Sequence, residues 1–387
     1  MKKRLMLQVL AWVSLVLGVR AAEEIDIERL AGGVKTIPIS LSGFTGEVES
    51  VLKFDLEICG FSVVAADKAQ YWVSGSNGAS LVGRVTDRVS KAQVLGQEYR
   101  GASPRTLAHT FADDIIEKLT GVKGIARTRI AFKGDFGKTS EIFVADYDGH
   151  GARAVTSDQS IVAAPNWGAG RKVLCFTSYM KDNPDVYVYY PASGERRILA
   201  RYSGLNTSPA ISPDGSKVAL ICSKDGSPDV YVCDMDGKNL RRVTRTKESE
   251  SSPCWSPDGR TLCFSSQVGG RAALYKISAE GGEMRRVSTV GVGGNLTEPD
   301  WSPDGKWIIF TSQTGGFDLC IVPAQGGEAK VLVAGEDPSW APNSRTVVFT
   351  RRVGGGKRVL SLLDVPTKRV KDIARISGSS SQPSWGR

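Results

Sequence analysis

The chain has 387 residues, with 50 Lys and Arg against 41 Asp and Glu, a formal net charge of +9 and an apolar fraction of 41%. That composition belongs to a globular protein and excludes a disordered one. The basic pairs Arg196-Arg197, Arg241-Arg242, Arg285-Arg286 and Arg351-Arg352 are scattered, not pooled. With no coherent patch and no reading motif they exclude nucleic-acid binding.

Lys2, Lys3 and Arg4 open the chain, and an apolar stretch over residues 5–19 follows, broken only by Gln8, Ser14 and Gly18. It ends at Val19-Arg20-Ala21. Residues 1–21 therefore read as a cleaved secretory signal. They are too short for the ~20 apolar residues of a membrane anchor. Cleavage removes four basic side chains and lowers the charge to +5. In residues 22–33, Ile25 and Ile27 alternate with Glu24, Asp26 and Glu28 before Ala31-Gly32-Gly33 breaks the pattern. Two readings stand: a frayed or docked terminus, or an extended peptide that adds to a partner's sheet edge.

Residues 34–126 predict a small α/β domain. A strand over 34–41 leads to a helix over 46–59 with Val48, Val51, Leu52 and Leu56 on one face and Gly60 as its stop. Strands follow at 71–74, 80–85 and 94–99. A second helix has Ser103 as N-cap and Pro104 at its first position; Leu107, Phe111, Ile115 and Leu119 recur every fourth residue, and Gly121 ends it.

From residue 127 the chain repeats. The strongest copies are Pro-Cys-Trp-Ser-Pro-Asp-Gly at 253–259 and Pro-Asp-Trp-Ser-Pro-Asp-Gly at 299–305, with Pro-Ala-Ile-Ser-Pro-Asp-Gly at 209–215. Weaker copies start at Pro165, Pro338 and Pro383, so successive prolines are 44, 44, 46, 39 and 45 residues apart. That period fits a four-stranded propeller blade. Ser-Pro-Asp-Gly is a tight turn, with Pro fixing φ and Gly accepting positive φ. Residues 129–164 hold three blade strands without the leading Pro-x-Trp strand, and residues 382–387 are that strand with nothing after it. The C-terminus is thus expected to complete the blade begun near residue 129, a closure that removes free sheet edges. The fold class is multi-domain: a small N-terminal α/β domain over 34–126, then a six-bladed all-β propeller with WD40-like repeats over 127–387.

Catalytic and metal motifs are absent. His109 and His150 are the two histidines, and neither has a Cys or His partner at metal-ligand spacing. No G-x-S-x-G elbow, P-loop or dinucleotide fingerprint occurs. Asp146-Tyr147-Asp148-Gly149 and Asp234-Met235-Asp236-Gly237 place glycine too early for an EF-hand and read as hairpin turns. Seven cysteines leave at least one unpaired; Cys175 and Cys263 read as core packing, and a Cys222–Cys233 bridge stays open. Inner strands run nearest the channel, so the residues before each repeat proline rim one mouth. The candidate rim is Asn206, Thr207, Ser208, Glu250, Ser251, Ser252, Thr297, Glu298, Asp337 and Gln382. Loops on a rigid scaffold commonly carry binding. A carbohydrate or small-ligand binder could use Asn206, Glu250 and Glu298 equally. A peptidase propeller would need a hydrolase domain, and a lyase would need His or metal ligands in the channel.

The junction is the most discriminating part: Ala108-His109-Thr110, the run from Glu117 to Gly124, Arg127-Thr128-Arg129-Ile130-Ala131, and Ala145 to Gly149. On these residues the chain resembles, over its whole length, the TolB family of the Tol–Pal envelope system. The resemblance implies a periplasmic, non-enzymatic, cofactor-free monomer that meets membranes only through its partners. It implies the peptidoglycan-associated lipoprotein Pal at the propeller rim, where Thr297-Glu298-Pro299 carries the family's Thr-Glu-Pro pattern one blade later than expected. It implies TolA at Glu24, Ile25, Asp26 and Ile27, and a role in outer-membrane integrity and constriction at division.

Overall fold

The computed structural model describes residues 33–168, 170 and 172–386. The expected signal and Glu24, Ile25, Asp26 and Ile27 of the terminal peptide lie outside the described residues. Near the N-terminus, β1 (Ile37–Ser42), α1 (Gly46–Ile58), β2 (Phe61–Val63), β3 (Tyr71–Asn77), β4 (Leu81–Asp87), β5 (Gln93–Tyr99) and α2 (Pro104–Thr120) follow in order. The sheet runs β2-β1-β3-β4-β5, parallel at β1–β2 and β1–β3 and antiparallel beyond. Only β2 went unread, because three residues are too few to show alternation.

The second helix begins and ends as its sequence dictates. Ser103 Oγ accepts the Thr106 N–H at 3.2 Å, and Gly121 closes α2 in the left-handed region at φ 72°. The helices share one core with Ile39, Val73 and Val85 of the sheet. Gly83 in β4 lets the Phe111 ring lie directly on the strand, where any Cβ would collide with it.

Six four-stranded sheets follow. Blade 1 opens with inner strand Val162–Trp167, blade 2 with Asn206–Ile211, blade 3 with Glu250–Trp255, blade 4 with Asn295–Trp301 and blade 5 with Glu336–Trp340. Blade 6 is composite: Ser379–Trp385 pairs antiparallel with Arg129–Phe136, setting Trp385 opposite Ile130 and Ser384 opposite Ala131. The two ends of the propeller sequence therefore close one sheet.

Side chains stitch neighbouring inner strands together. Asn166 accepts the Ile211 N–H at 2.8 Å, Asp300 that of Trp340 at 2.7 Å, Ser339 that of Trp385 at 3.0 Å and Ser384 that of Trp167 at 3.1 Å. The Ser-Pro-Asp-Gly segments are scaffold. In each of three blades the serine hydroxyl donates to the aspartate, as from Ser256 to Asp258 at 2.5 Å, and accepts the N–H that starts the next strand. All seven cysteines are buried free thiols. Cys222 stands opposite Asp229 and Cys233 opposite Val218, so the candidate pair sits at opposite ends of two paired strands and forms no bridge.

The α/β unit is seated on blades 5 and 6 through a continuous core that includes Ile130, Tyr147, Leu360, Leu362 and Trp385. Polar contacts fix the seat. In the turn at 146–149, Tyr147 donates its hydroxyl to the buried Asp55 of α1, and Asp148 pairs with the buried Arg105 of α2. Lys371 reaches Glu57 at 2.7 Å, and Arg369 donates to the Phe61 carbonyl at 2.6 Å. Tyr147 and Asp148 of the junction therefore plug the α/β unit onto the propeller.

Candidate binding face at the channel mouth

Each inner strand carries a bulge immediately before its repeat proline, where the register slips by one residue, as between Thr207 and Ala210 or Thr297 and Asp300. The slip puts the residue before each proline in the left-handed region: Ala164 (φ 50°), Ser208 (51°), Ser252 (52°), Glu298 (54°), Asp337 (54°) and Gln382 (50°). Proline supplies no N–H to the ladder, so the break falls where a hydrogen bond was already missing. These six residues and their prolines encircle one opening of about 180 Å³. Deeper in the channel lies a cavity of about 300 Å³ lined by Ile211, Trp255 and Trp385 among others.

Non-glycine residues in this region carry strain that only surrounding structure can hold. Ser208→Gly is expected to match wild type within about 1 kcal/mol, whereas Ser208→Val, β-branched at positive φ, loses about 1–3 kcal/mol. Urea titrations of the two variants check this.

The ring is chemically lopsided. Glu298 accepts the Asp337 N–H at 2.9 Å, Asp337 that of Gln382 at 3.1 Å, and Gln382 that of Ala164 at 2.9 Å. Hydroxyls of Thr311 and Thr350 add bonds of 2.7 and 3.0 Å to Glu298 and Asp337. Burial first, and then the Glu298 carboxylate, push Asp337 well above the usual carboxylate range. Beside it, Glu336 pairs with Arg352 at 2.8 Å and Arg358 at 3.3 Å. Blades 4 to 6 thus form a tied, acidic half of the rim. Blades 1 to 3 present Ala164, Ser208 and Ser252, whose side chains are too short to bridge to the next blade.

Of the ten candidate rim residues, Ser208, Ser252, Glu298, Asp337 and Gln382 meet at the mouth. Thr207, Ser251 and Thr297 sit one residue behind them on the same strands, with Ser251 exposed. Asn206 and Glu250 are corrections. Asn206 is 0% exposed, and its amide donates to the Pro184 and Tyr202 carbonyls. Glu250 is 2% exposed and accepts from Thr246 at 2.7 Å and Ser266 at 3.0 Å. Both open their inner strands, two positions before the ring, and their polar atoms are spent on the preceding loop and on neighbouring strands.

Glu250 has a different consequence. The single Thr244 hydroxyl lies 3.0 Å from both Glu250 and the buried Asp229, and one proton serves only one of them. Burial, reinforced by Asp229, pushes Glu250 up to about 7. The folded chain then holds this proton more tightly than the unfolded chain, whose Glu titrates near 4.5. Its contribution is fully present below pH 4.5 and fades as pH rises through 7. Glu250→Gln is expected to remove this slope and to raise stability at pH 8 by on the order of 2–3 kcal/mol relative to wild type. Denaturant midpoints from pH 5 to 8 measure it.

The architecture defines a six-bladed propeller carrying a fused α/β unit, with a hydrogen-bonding ring at one channel mouth. Residues 116–387 match the TolB beta propeller domain, and the chain belongs to the TolB family. It is 32% identical over 221 residues to the Tol-Pal system protein TolB of Polaromonas sp. (strain JS666 / ATCC BAA-500), covering 49% of this chain and 52% of that protein. It is 28% identical over 165 residues to the Tol-Pal system protein TolB of Desulfosudis oleivorans (strain DSM 6200 / JCM 39069 / Hxd3), covering 42% of this chain and 37% of that one. The matches thus span about half or less of those relatives' lengths. In fold, the chain resembles the crystal structure of TolB from Acinetobacter baumannii, with a TM-score of 0.82 at 22% identity over 92% of this chain and 97% of that chain.

Proposed function

We propose that this chain is a periplasmic, non-enzymatic scaffold of the Tol–Pal system. On this reading residues 1–21 are a cleaved signal, 22–33 a partner-binding peptide, 34–126 an α/β domain and 127–387 the propeller. A Pal-like peptidoglycan-associated lipoprotein docks on the channel mouth, and a TolA-like inner-membrane protein takes the terminal peptide through Glu24, Ile25, Asp26 and Ile27. Linking the two serves outer-membrane integrity and constriction at division. The observation that carries the proposal is the ring of six strained, pre-proline residues facing one opening, since strain held by a rigid scaffold clusters at functional sites.

The test is affinity capture from envelope extracts with residues 22–387. Ser208→Arg and Ser251→Arg fall on the small-residue half of the rim and leave the Glu298–Asp337–Gln382 relay intact. A Pal-like lipoprotein retained by wild type and lost with these variants supports the rim assignment; equal recovery removes it. Deleting residues 22–33 is expected to abolish only TolA-like recovery.

A further inference from the structure

A second cavity, about 480 Å³, lies between α2 and the start of blade 6, away from the channel mouth. Three of its lining residues are arginines: Arg127, Arg129 and Arg153. The blade's register explains their convergence. Arg129 stands opposite Asp146 and Arg153 opposite Val144, and positions 144 and 146 share one face of their strand. Arg129 meets Asp146 at 3.4 Å, and Arg127 meets Asp113 at 3.1 Å. Arg153 is exposed and has no acidic partner among the described residues.

Two deeply buried polar side chains also line this cleft. His109 is 5% exposed; its Nδ1 is held by Asp55 at 2.7 Å, and its Nε2 is buried without a hydrogen-bond partner. Trp167 is 8% exposed, and its indole N–H is likewise buried and unpartnered. An indole N–H can only donate, and a buried donor left unpaired is unfavourable until an acceptor arrives. Guanidinium groups match planar or tetrahedral oxyanions with paired N–H bonds.

We propose that this cleft is an oxyanion-binding site that takes a carboxylate or phosphate group, with Arg153 and Arg129 as its charged ligands and Trp167 as a neutral donor. It is separate from the rim, and nothing in the proposal depends on what the rim binds.

Calorimetric titration of residues 22–387 with inorganic phosphate, and separately with succinate, tests it at constant ionic strength set with sodium chloride. Saturable binding of phosphate, of succinate or of both is expected, and the pattern identifies the chemistry preferred. Arg153→Gln and Arg129→Gln should each weaken it by about tenfold, while Arg285→Gln, an exposed arginine on blade 3, leaves it unchanged. Circular dichroism confirms that the variants fold. Failure of both probes to saturate overturns the site, as does binding that survives both cleft substitutions.

Discussion

Removing residues 379–387 is expected to leave a chain that does not form the propeller. The lost segment is the inner strand of blade 6, and without it Arg129–Phe136 becomes an open edge facing the channel. The loss spreads to both neighbouring blades. Trp385 N–H no longer meets Ser339, Ser384 no longer accepts from Trp167, and Gln382 no longer accepts from Ala164. It also reaches the α/β unit, because Trp385 is 2% exposed within the core shared by both parts, and its indole donates to Thr128 at 2.8 Å. Trp385→Ala is a milder form of the same injury and costs about 3–5 kcal/mol. Far-UV circular dichroism and size-exclusion chromatography report the truncation, and urea titration the point substitution.

The second large effect is expected from Arg345→Met. Arg345 is buried at the seat of the α/β unit and grips the fully buried Asp364 with two bonds, Nε to Oδ1 at 2.6 Å and Nη2 to Oδ2 at 3.1 Å. Gly60, just after α1, lies so close that a Cβ there would overlap Arg345 Nη2. Gly60 also has φ 92°, a left-handed backbone that suits glycine. Removing the guanidinium leaves a carboxylate that keeps, among the described residues, the Thr367 hydroxyl as its side-chain partner. Breaking a buried pair from one side costs about 3–5 kcal/mol. Arg345→Met combined with Asp364→Leu is expected to recover most of that, since the cost lies in the stranded charge. A double-mutant cycle in urea measures the difference.

The propeller was legible because each blade carries its own punctuation. A Pro, a Trp and an Asp-Gly turn recur at nearly constant spacing, and the inner strand missing from the blade at one end of the repeats reappears at the other. The second helix was legible through its caps, Ser103 and Gly121, and the first through its apolar face of Val48, Val51, Leu52 and Leu56. The rim was only half legible. A position one residue before proline gives the ring, but Ser208 and Asn206 lie two residues apart on one strand, and the burial of Asn206 comes from bonds to Pro184 and Tyr202 that no local pattern announces. Two residues of strand carry Asn206 and Glu250 from the mouth to a buried turn. The basic cleft could not be read at all. Arg127, Arg129 and Arg153 look like scattered charges until strand pairing places two of them on one face, and His109 and Trp167 come from parts of the chain 58 residues apart.

On the proposed reading, the channel mouth is the docking face for a Pal-like lipoprotein. Calorimetric titration of residues 22–387 with the soluble domain of the Pal-like protein from the same organism tests it most directly. Saturable one-to-one binding is expected, abolished by Ser208→Arg and Ser251→Arg while circular dichroism stays unchanged. Binding of undiminished affinity by both rim variants would contradict it.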